Sequence, residues 1–169
     1  MAHARVYRLF EEFYKPLHGG KLGITLNTDW FEPLDENNPD HVSIAEQSQQ
    51  FRLGFWASPI FKGDFPEIVR DIIGNRSLAQ GFESSRLPMF SMEEKTMLKG
   101  SADFFGLNMY TSDLAQPLDF PIGKYILCRF RWVVECLSRR YKQSYISQVL
   151  YTLTIRLWHT QLIVCAVKY

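Results

Sequence analysis

The segment 103–110 ends in two side chains that could form hydrogen bonds in an active site. Read with a period of two residues, it has an apolar face of three residues, Phe105, Leu107 and Met109, and an opposite face that ends in Asn108 and Tyr110. This division is typical of a parallel strand in an α/β barrel, where outward side chains pack under helices. Because barrel active sites lie at the carboxyl ends of the strands, we expect Asn108 and Tyr110 to face the site.

Two carboxylates follow an earlier segment that also alternates. Residues 22–27 alternate apolar with small or polar side chains, which predicts a barrel strand. Asp29 and Glu32 stand in the following segment, 28–40, which we expect to be a loop at the same face. Three residues apart at the mouth of a strand, they could act as a carboxylate pair. The alternative is that the two carboxylates cap the loop or lie at a solvated rim and have no catalytic role.

Helical periodicity and capping signals predict four helices around these strands. The predicted helices are 2–14, ending near Lys15-Pro16; one from the Ser-Ile-Ala-Glu capping box at 43–46 to Pro59; 66–73, ended by Gly74; and one from the Ser-Met-Glu-Glu capping box at 91–94 through Leu98. This order predicts a crossover that places strands 22–27 and 103–110 side by side and parallel.

Length and composition limit the classes of protein to consider. A composition that is 46% hydrophobic suffices for one packed domain. The length of 169 residues is too short for a complete (β/α)8 barrel, which takes about 250 residues. A net charge of +1 gives no reason to expect nucleic acid as a partner. The longest apolar run, 162–167, is far shorter than the roughly 20 residues of a membrane span.

Metal and disulfide chemistry is not indicated by the cysteines and histidines. Cys128, Cys136 and Cys165 are odd in number and lack ligand spacing, so they predict neither a disulfide framework nor a zinc site. His3 and His18 lack partners at ligand spacing. We therefore assign no metal site and no cofactor.

Several motifs stand in the order found in one enzyme family. Asp-Phe-Phe-Gly-Leu-Asn-Met-Tyr-Thr-Ser (103–112) resembles the sixth barrel strand of glycoside hydrolase family 1, the family of β-glucosidases, lactase-phlorizin hydrolases and klotho-like proteins. Gly-Ile-Thr-Leu-Asn-Thr-Asp-Trp-Phe-Glu-Pro (23–33) resembles the fifth strand and its loop. Pro-Ile-Phe-Lys-Gly-Asp-Phe-Pro (59–66) and Ser-Arg-Leu-Pro (85–88) follow in register. The resemblance implies an α/β fold over residues 1–114. This part would be a partial (β/α)8 TIM barrel that runs from about helix 4 to strand 6 of the family's complete barrel.

The resemblance also implies which site residues are present. The family's acid/base lies in an Asn-Glu-Pro-like motif after the fourth strand, and its nucleophile in a Thr-Glu-Asn-Gly-like motif after the seventh. Neither motif occurs in this sequence, so we assign no catalytic residue. The resemblance implies that Asn108 and Tyr110 match polar positions that support the site, and that the Tyr110 hydroxyl forms a hydrogen bond with the nucleophile. The alternative is that Tyr110 only closes the barrel interior. Asn27 and Trp30 are expected at the rim of the sugar site.

Residues 115–169 do not continue the family's pattern. They are rich in aromatic, β-branched and basic residues without a clean period. We therefore expect a C-terminal tail that does not match the family. Its sequence would come from an alternative exon, an intron or another reading frame, or else it would be a divergent addition.

The resemblance implies a retaining β-glycosidase that acts on β-glucosides or β-galactosides without a cofactor. Because both catalytic glutamates are absent, we expect the chain alone to be inactive. One alternative is a non-catalytic sugar-binding or regulatory isoform that pairs with a full-length relative through exposed strand edges. Another is a sequence with no stable product. The sequence indicates neither the compartment nor the choice between glucose and galactose.

Overall fold

The computed structural model describes residues 1–117 and the backbone of residues 162–165. The remaining residues of the predicted tail, 118–161 and 166–169, lie outside the described residues. Within the described part, helices precede the first strand and lie between the first and second strands of one sheet. In chain order the elements are α1 (Ala2–Leu9), a π-helical segment (Phe10–Tyr14), α2 (Lys15–His18), β1 (Ile24–Pro33), α3 (Pro39–Gln49), a second π-helical segment (Gln50–Gly54), α4 (Phe55–Lys62), α5 (Glu67–Ala79), α6 (Met92–Leu98), β2 (Phe104–Ala115) and β3 (Leu162–Cys165). No helix among these is both long and apolar enough to cross a membrane.

The sheet is parallel, with the strand order β1-β2-β3. This confirms the prediction that the two strand-like segments lie side by side in parallel. Both strands are longer than predicted, because their pairing continues to Pro33 of β1 and Ala115 of β2. Residues 28–33, which we expected to begin a loop, are therefore part of β1.

Helices cover one face of the sheet. The core there consists of five buried residues, Leu53, Ala57, Phe105, Leu107 and Met109. Phe61 of α4 packs edge-on against Phe105, with ring centroids 5.6 Å apart. The apolar face predicted for 103–110 is thus confirmed to lie under helices.

The start of α3 differs from the prediction. The helix begins at Pro39, and the side chain of Asn38 caps it by accepting a hydrogen bond from the Asp40 N–H. Ser43 lies inside the helix, where its hydroxyl accepts from Gln47 at 3.0 Å, so the capping box predicted at 43–46 is wrong. Asn before Pro is an equally good start signal, because Asn is a preferred cap and Pro fits the first turn.

Helix ends predicted from proline and glycine were also wrong. Pro59 lies inside α4, between the buried residues Ala57 and Ile60, and Gly74 lies inside α5. The first helical stretch likewise continues past Pro16, which occupies the first turn of α2. Burial of Pro59 and of Ile73 beside Gly74 offsets the cost of these two interior residues, which is about 1 kcal/mol for Gly and about 3 kcal/mol for Pro. Pro16 does not carry this cost, because proline fits the first turn of a helix.

The second capping box is confirmed. Ser91 Oγ accepts a hydrogen bond from the Glu94 N–H at 3.2 Å, and the Glu94 carboxylate accepts from the Ser91 N–H at 2.9 Å. Two orphan donors at the start of α6 are thereby satisfied.

One carboxylate ties the first helices to the amino end of β2. Asp103 accepts hydrogen bonds from the Tyr7 hydroxyl at 2.9 Å, from Lys15 Nζ at 2.8 Å and from the Leu22 N–H at 2.9 Å. His3 Nε2 donates to the Ser101 carbonyl at 2.7 Å beside it. Partial burial by itself raises the pKa of Asp103, but the bonds from Lys15, Leu22 and Tyr7 outweigh it and hold this pKa below its usual value.

We predict that Asp103→Ala lowers the free energy of unfolding at neutral pH by about 2 kcal/mol, because it leaves the Leu22 N–H and Tyr7 hydroxyl without their acceptor. Since the folded pKa lies below the unfolded value of about 3.9, the contribution of Asp103 is present above about pH 4 and is lost as pH falls through the folded pKa. Urea unfolding between pH 7 and pH 3 measures both effects. Asp71→Ala, at an exposed position of α5, is the control. An equal loss of stability with falling pH in the Asp103→Ala variant and the unmodified chain would contradict the prediction.

We predict that Gly23→Ala lowers the free energy of unfolding by about 1 to 3 kcal/mol. A Cβ at residue 23 would lie 2.5 Å from the backbone oxygen of Phe104, so the two strands must move apart. Gly74→Ala is the matched control, because a Cβ there meets no described atom within 4 Å. In the helix interior this substitution is expected to raise stability by about 0.5 to 1 kcal/mol. Equal effects of the two substitutions in thermal unfolding would show that the strands are not closely packed at Gly23.

Candidate functional site

Two asparagines face each other on the side of the sheet opposite the helix-covered core. Asn27 of β1 and Asn108 of β2 are register partners, and Asn108 Nδ2 donates to Asn27 Oδ1 at 2.8 Å. Each amide keeps further donor and acceptor capacity, because a primary amide has two N–H donors and an oxygen with two lone pairs. The pair can therefore bind a polar ligand such as a hydroxyl group. Sequence reasoning singled out both residues, and the structure brings them together.

Tyr110 lies two residues beyond Asn108, toward the carboxyl end of β2. Its side chain is 58% exposed, so a ligand or a further protein segment can reach it. The neighbouring Met109 is buried in the core. Tyr110 therefore lies outside the helix-covered core, and its place in the site stays a prediction.

The pairing of β1 and β2 is irregular next to Tyr110. Thr28 pairs with Met109, and the next register pair joins Trp30 to Ser112. One residue of β1, Asp29, therefore stands opposite two residues of β2, Tyr110 and Thr111. An extra residue on one strand is a β-bulge, a feature common at barrel rims and beside active sites.

Asp29 is held at this bulge by partners from two elements. Thr111 Oγ1 donates to Asp29 Oδ1 at 2.9 Å, and Arg52 Nη2 donates to Asp29 Oδ2 at 3.1 Å. The carboxylate thus connects β2 and the helical layer to the end of β1.

Gln49, at the end of α3, binds β1 on both sides of Asp29. Its Nε2 donates to Thr28 Oγ1 at 3.3 Å, and its Oε1 accepts from the Phe31 N–H at 3.4 Å. The Thr28 hydroxyl in turn donates to the Asp29 carbonyl at 2.8 Å. The backbone around Asp29 is therefore fixed by the helix that covers the sheet.

Trp30 does not join the two asparagines. Its ring packs against the helix-covered core, and its indole N–H donates to the Glu32 carboxylate. The structure therefore places Trp30 on the face opposite Asn27, and its expected role at the rim of the sugar site stays a prediction. Asp29 and Glu32, considered above as a carboxylate pair, bind different partners. Asp29 binds Arg52 and Thr111, and Glu32 binds the indole of Trp30. These contacts favour structural roles for both.

A cavity of about 320 Å³ lies where β1 and β2 end. Residues of both strands line it, including Glu32, Pro33, Ser112 and Asp113. Its volume is at the lower end of the range for small-molecule sites.

Sequence reasoning missed three residues of this region, Gln49, Arg52 and Thr111. Arg52 lies 23 residues from Asp29, and Thr111 lies 82 residues from it. No local pattern gives these contacts, because they depend on the register of the strands and on the rotation of the helix. The one available signal was that Thr111 follows Tyr110 directly.

The sequence matches the family model described as glycosyl hydrolase family 1 over residues 1–148. The match continues past the boundary that we expected at residue 114, into the segment that we expected to be unmatched. The origin of that segment stays a prediction.

Similar proteins include the lactase-like protein of Mus musculus, which is 43% identical over 120 residues, 71% of this chain and 21% of that protein. The cytosolic β-glucosidase of Homo sapiens is 40% identical over 114 residues, 67% of this chain and 24% of that protein. The chain thus spans about a fifth to a quarter of the length of these relatives.

Solved structures of similar fold include an aphid myrosinase, with a TM-score of 0.66 and 38% identity over 68% of this chain and 25% of that one. The β-glucosidase of Trichoderma harzianum has a TM-score of 0.67 and 28% identity over 92% of this chain and 34% of that one. The family match covers well over half of the residues, and the chain therefore belongs to glycosyl hydrolase family 1, a family of β-glycosidases.

Proposed function

We propose that this chain supplies the fifth- and sixth-strand section of the sugar site of a retaining β-glycosidase that acts on β-glucosides or β-galactosides. We further propose that a chain of these 169 residues alone binds such sugars without hydrolysing them.

The observation that carries the proposal is the amide pair Asn27–Asn108, with Tyr110 beside it, on the sheet face that the helices leave open. In parallel α/β folds, polar side chains at the carboxyl ends of strands form the site. Amides suit a neutral polyol, because each can donate to one hydroxyl and accept from another.

Retaining hydrolysis requires two carboxyl groups about 5 to 5.5 Å apart. One protonates the leaving oxygen, and the other attacks the anomeric carbon and forms a covalent intermediate that water then hydrolyses. The sequence contains neither of the motifs that carry these groups in the family. Asp29 is paired with Arg52, and Glu32 with the indole of Trp30, so neither carboxylate is placed to take over these roles.

In a complete site, Tyr110 has a supporting role. Its hydroxyl would donate to the nucleophilic carboxylate, which favours the charged form and fixes the orientation of the attacking oxygen. Asn108 would bind a hydroxyl of the sugar ring. Both roles are exercised only when another segment contributes the carboxylates.

We predict that the purified chain binds a methyl β-glucoside but releases no aryl alcohol from an aryl β-glucoside. In ¹H–¹⁵N spectra, the side-chain amide signals of Asn27 and Asn108 are expected to move as the sugar is added. Asn108→Ala is expected to abolish the shift at Asn27, because the sugar loses one of its two amide partners. The measurement is an NMR titration, run in parallel with a colorimetric assay.

Asn75→Ala is the matched control, since Asn75 is an exposed asparagine on α5, away from the sheet. It is expected to leave the titration unchanged. Amide signals that stay fixed at high sugar concentration would refute the binding role. Aryl alcohol release above that of a Tyr110→Phe variant would refute the absence of catalysis.

A second candidate function is association with a full-length member of the family. The first helical stretch carries four apolar side chains that are each more than half exposed, Val6, Leu9, Phe13 and Leu17. Their spacing of three, four and four residues places them on one face of a helix. An exposed apolar stripe of this kind is typical of an interaction surface. In this reading the chain is a non-catalytic regulatory isoform.

We predict that the chain forms a complex with a purified full-length family 1 β-glucosidase, and that Leu9→Glu with Phe13→Glu weakens the complex at least tenfold, since the substitutions place two charges in an apolar contact. Sedimentation velocity of the mixture measures the complex. Glu12→Gln, at an exposed position of the same stretch, is the control. A monomer that melts cooperatively and forms no complex would exclude this function.

A further inference from the structure

We infer that Asp29 and Thr111 are positioning residues for Tyr110: their hydrogen bond fixes the β-bulge that aims the tyrosine into the site. The role of Tyr110 toward substrate rests on the function proposed above. The position of its ring does not, and it can be measured separately.

The first step concerns the register. Opposite Asp29, β2 contributes both Tyr110 and Thr111, so the residue count alone does not decide which of the two faces the carboxylate. The bond from Thr111 Oγ1 to Asp29 Oδ1 selects Thr111. A bulge interrupts the regular alternation of side chains and can change the direction of a neighbouring one, so the bond that fixes Thr111 also fixes the direction in which Tyr110 leaves the strand.

The second step concerns the acceptor. Asp29 cannot follow Thr111 freely, because its backbone carbonyl accepts from Thr28 and Gln49 binds β1 on both sides of it. Its other carboxylate oxygen is engaged by Arg52. The Asp29 carboxylate is therefore held by the helical layer, and the Thr111 hydroxyl takes the position that this carboxylate allows.

The third step separates the two contacts of the carboxylate. Both contacts of the carboxylate are solvent-exposed and each contributes little free energy, so they differ chiefly in what they connect, and Arg52 lies on a separate element from Tyr110. The bond to Thr111 reaches the residue next to Tyr110. Loss of the Thr111 hydroxyl should therefore move Tyr110, whereas loss of the Arg52 charge should leave it almost unmoved.

Thr111→Val and Thr111→Ser form the test pair. Valine keeps the shape of the side chain and removes the hydroxyl, and serine keeps the hydroxyl. In the full 169-residue chain with ¹³C-labelled tyrosine rings, the Tyr110 signal is assigned by its absence in Tyr110→Phe. Thr111→Val is expected to shift this signal several times further than Thr111→Ser does. The ring signal of Tyr7, at the opposite end of the sheet, is expected to stay in place in both variants.

Asp29→Ala removes the acceptor and gives an independent test if Thr111→Val folds poorly. It is expected to move the Tyr110 signal in the same direction as Thr111→Val, and the double variant is expected to move it no further than either single variant, because both remove the same bond. Arg52→Gln is expected to cause only a small shift. An unmoved Tyr110 signal in Thr111→Val or in Asp29→Ala overturns the inference, as do additive shifts in the double variant.

The sugar titration keeps the two proposals distinguishable. Asparagine signals that do not respond to sugar in the unmodified chain overturn the proposed function, and the ring shifts in the Thr111 and Asp29 variants still decide whether these residues position Tyr110. If sugar binds normally while Tyr110 is unmoved in those variants, the positioning inference alone fails.

Discussion

The parallel register of β1 and β2 is the constraint on which the described structure depends. It sets Asn27 opposite Asn108 on one face and sends Phe105 and Leu107 under the helices on the other. A slip of one residue would exchange these faces, placing an amide in the core and a phenylalanine in the site. Burial of the apolar face therefore specifies the register, and the register brings the polar site together. In this fold, stability and the geometry of the candidate site depend on the same pairing.

Two aspartates hold the strands at opposite ends and serve different purposes. Asp103, at the amino end, binds the first helices through Tyr7 and Lys15. Asp29, at the carboxyl end, binds Thr111 at an irregularity beside Tyr110. In α/β barrels the amino-end face serves stability and the carboxyl-end face serves catalysis. The same residue type therefore acts as a structural clamp at one end and as a positioning group at the other.

The sequence predicted what depends on local periodicity and missed what depends on distant partners. The alternation in 103–110 identified β2 and its two faces, because a strand half covered by helices leaves a pattern with a period of two residues. The two Ser-x-x-Glu boxes show the limit: Ser91 starts a helix, whereas Ser43 lies inside one that Asn38 had already capped. Trp30 was expected at the rim of the sugar site from its residue type, and that role stays a prediction; its ring packs against the core, because β1 continues past the expected loop. Arg52 reaches Asp29 only through the folded arrangement.

In the proposed function, Asn108 and Tyr110 differ in how far their roles depend on the catalytic carboxylates. Under the proposed function, Asn108 binds a neutral sugar hydroxyl in the isolated chain, because an amide exchanges hydrogen bonds with water and with hydroxyls on nearly equal terms. Tyr110 depends on its partner, since a phenol that donates to a carboxylate forms a charge-assisted bond about twice as strong as a neutral one. Without that carboxylate its hydroxyl is solvated and contributes little to binding. The proposed function therefore implies that a chain without the catalytic carboxylates keeps weak recognition of the sugar and lacks the transition-state stabilisation on which hydrolysis depends.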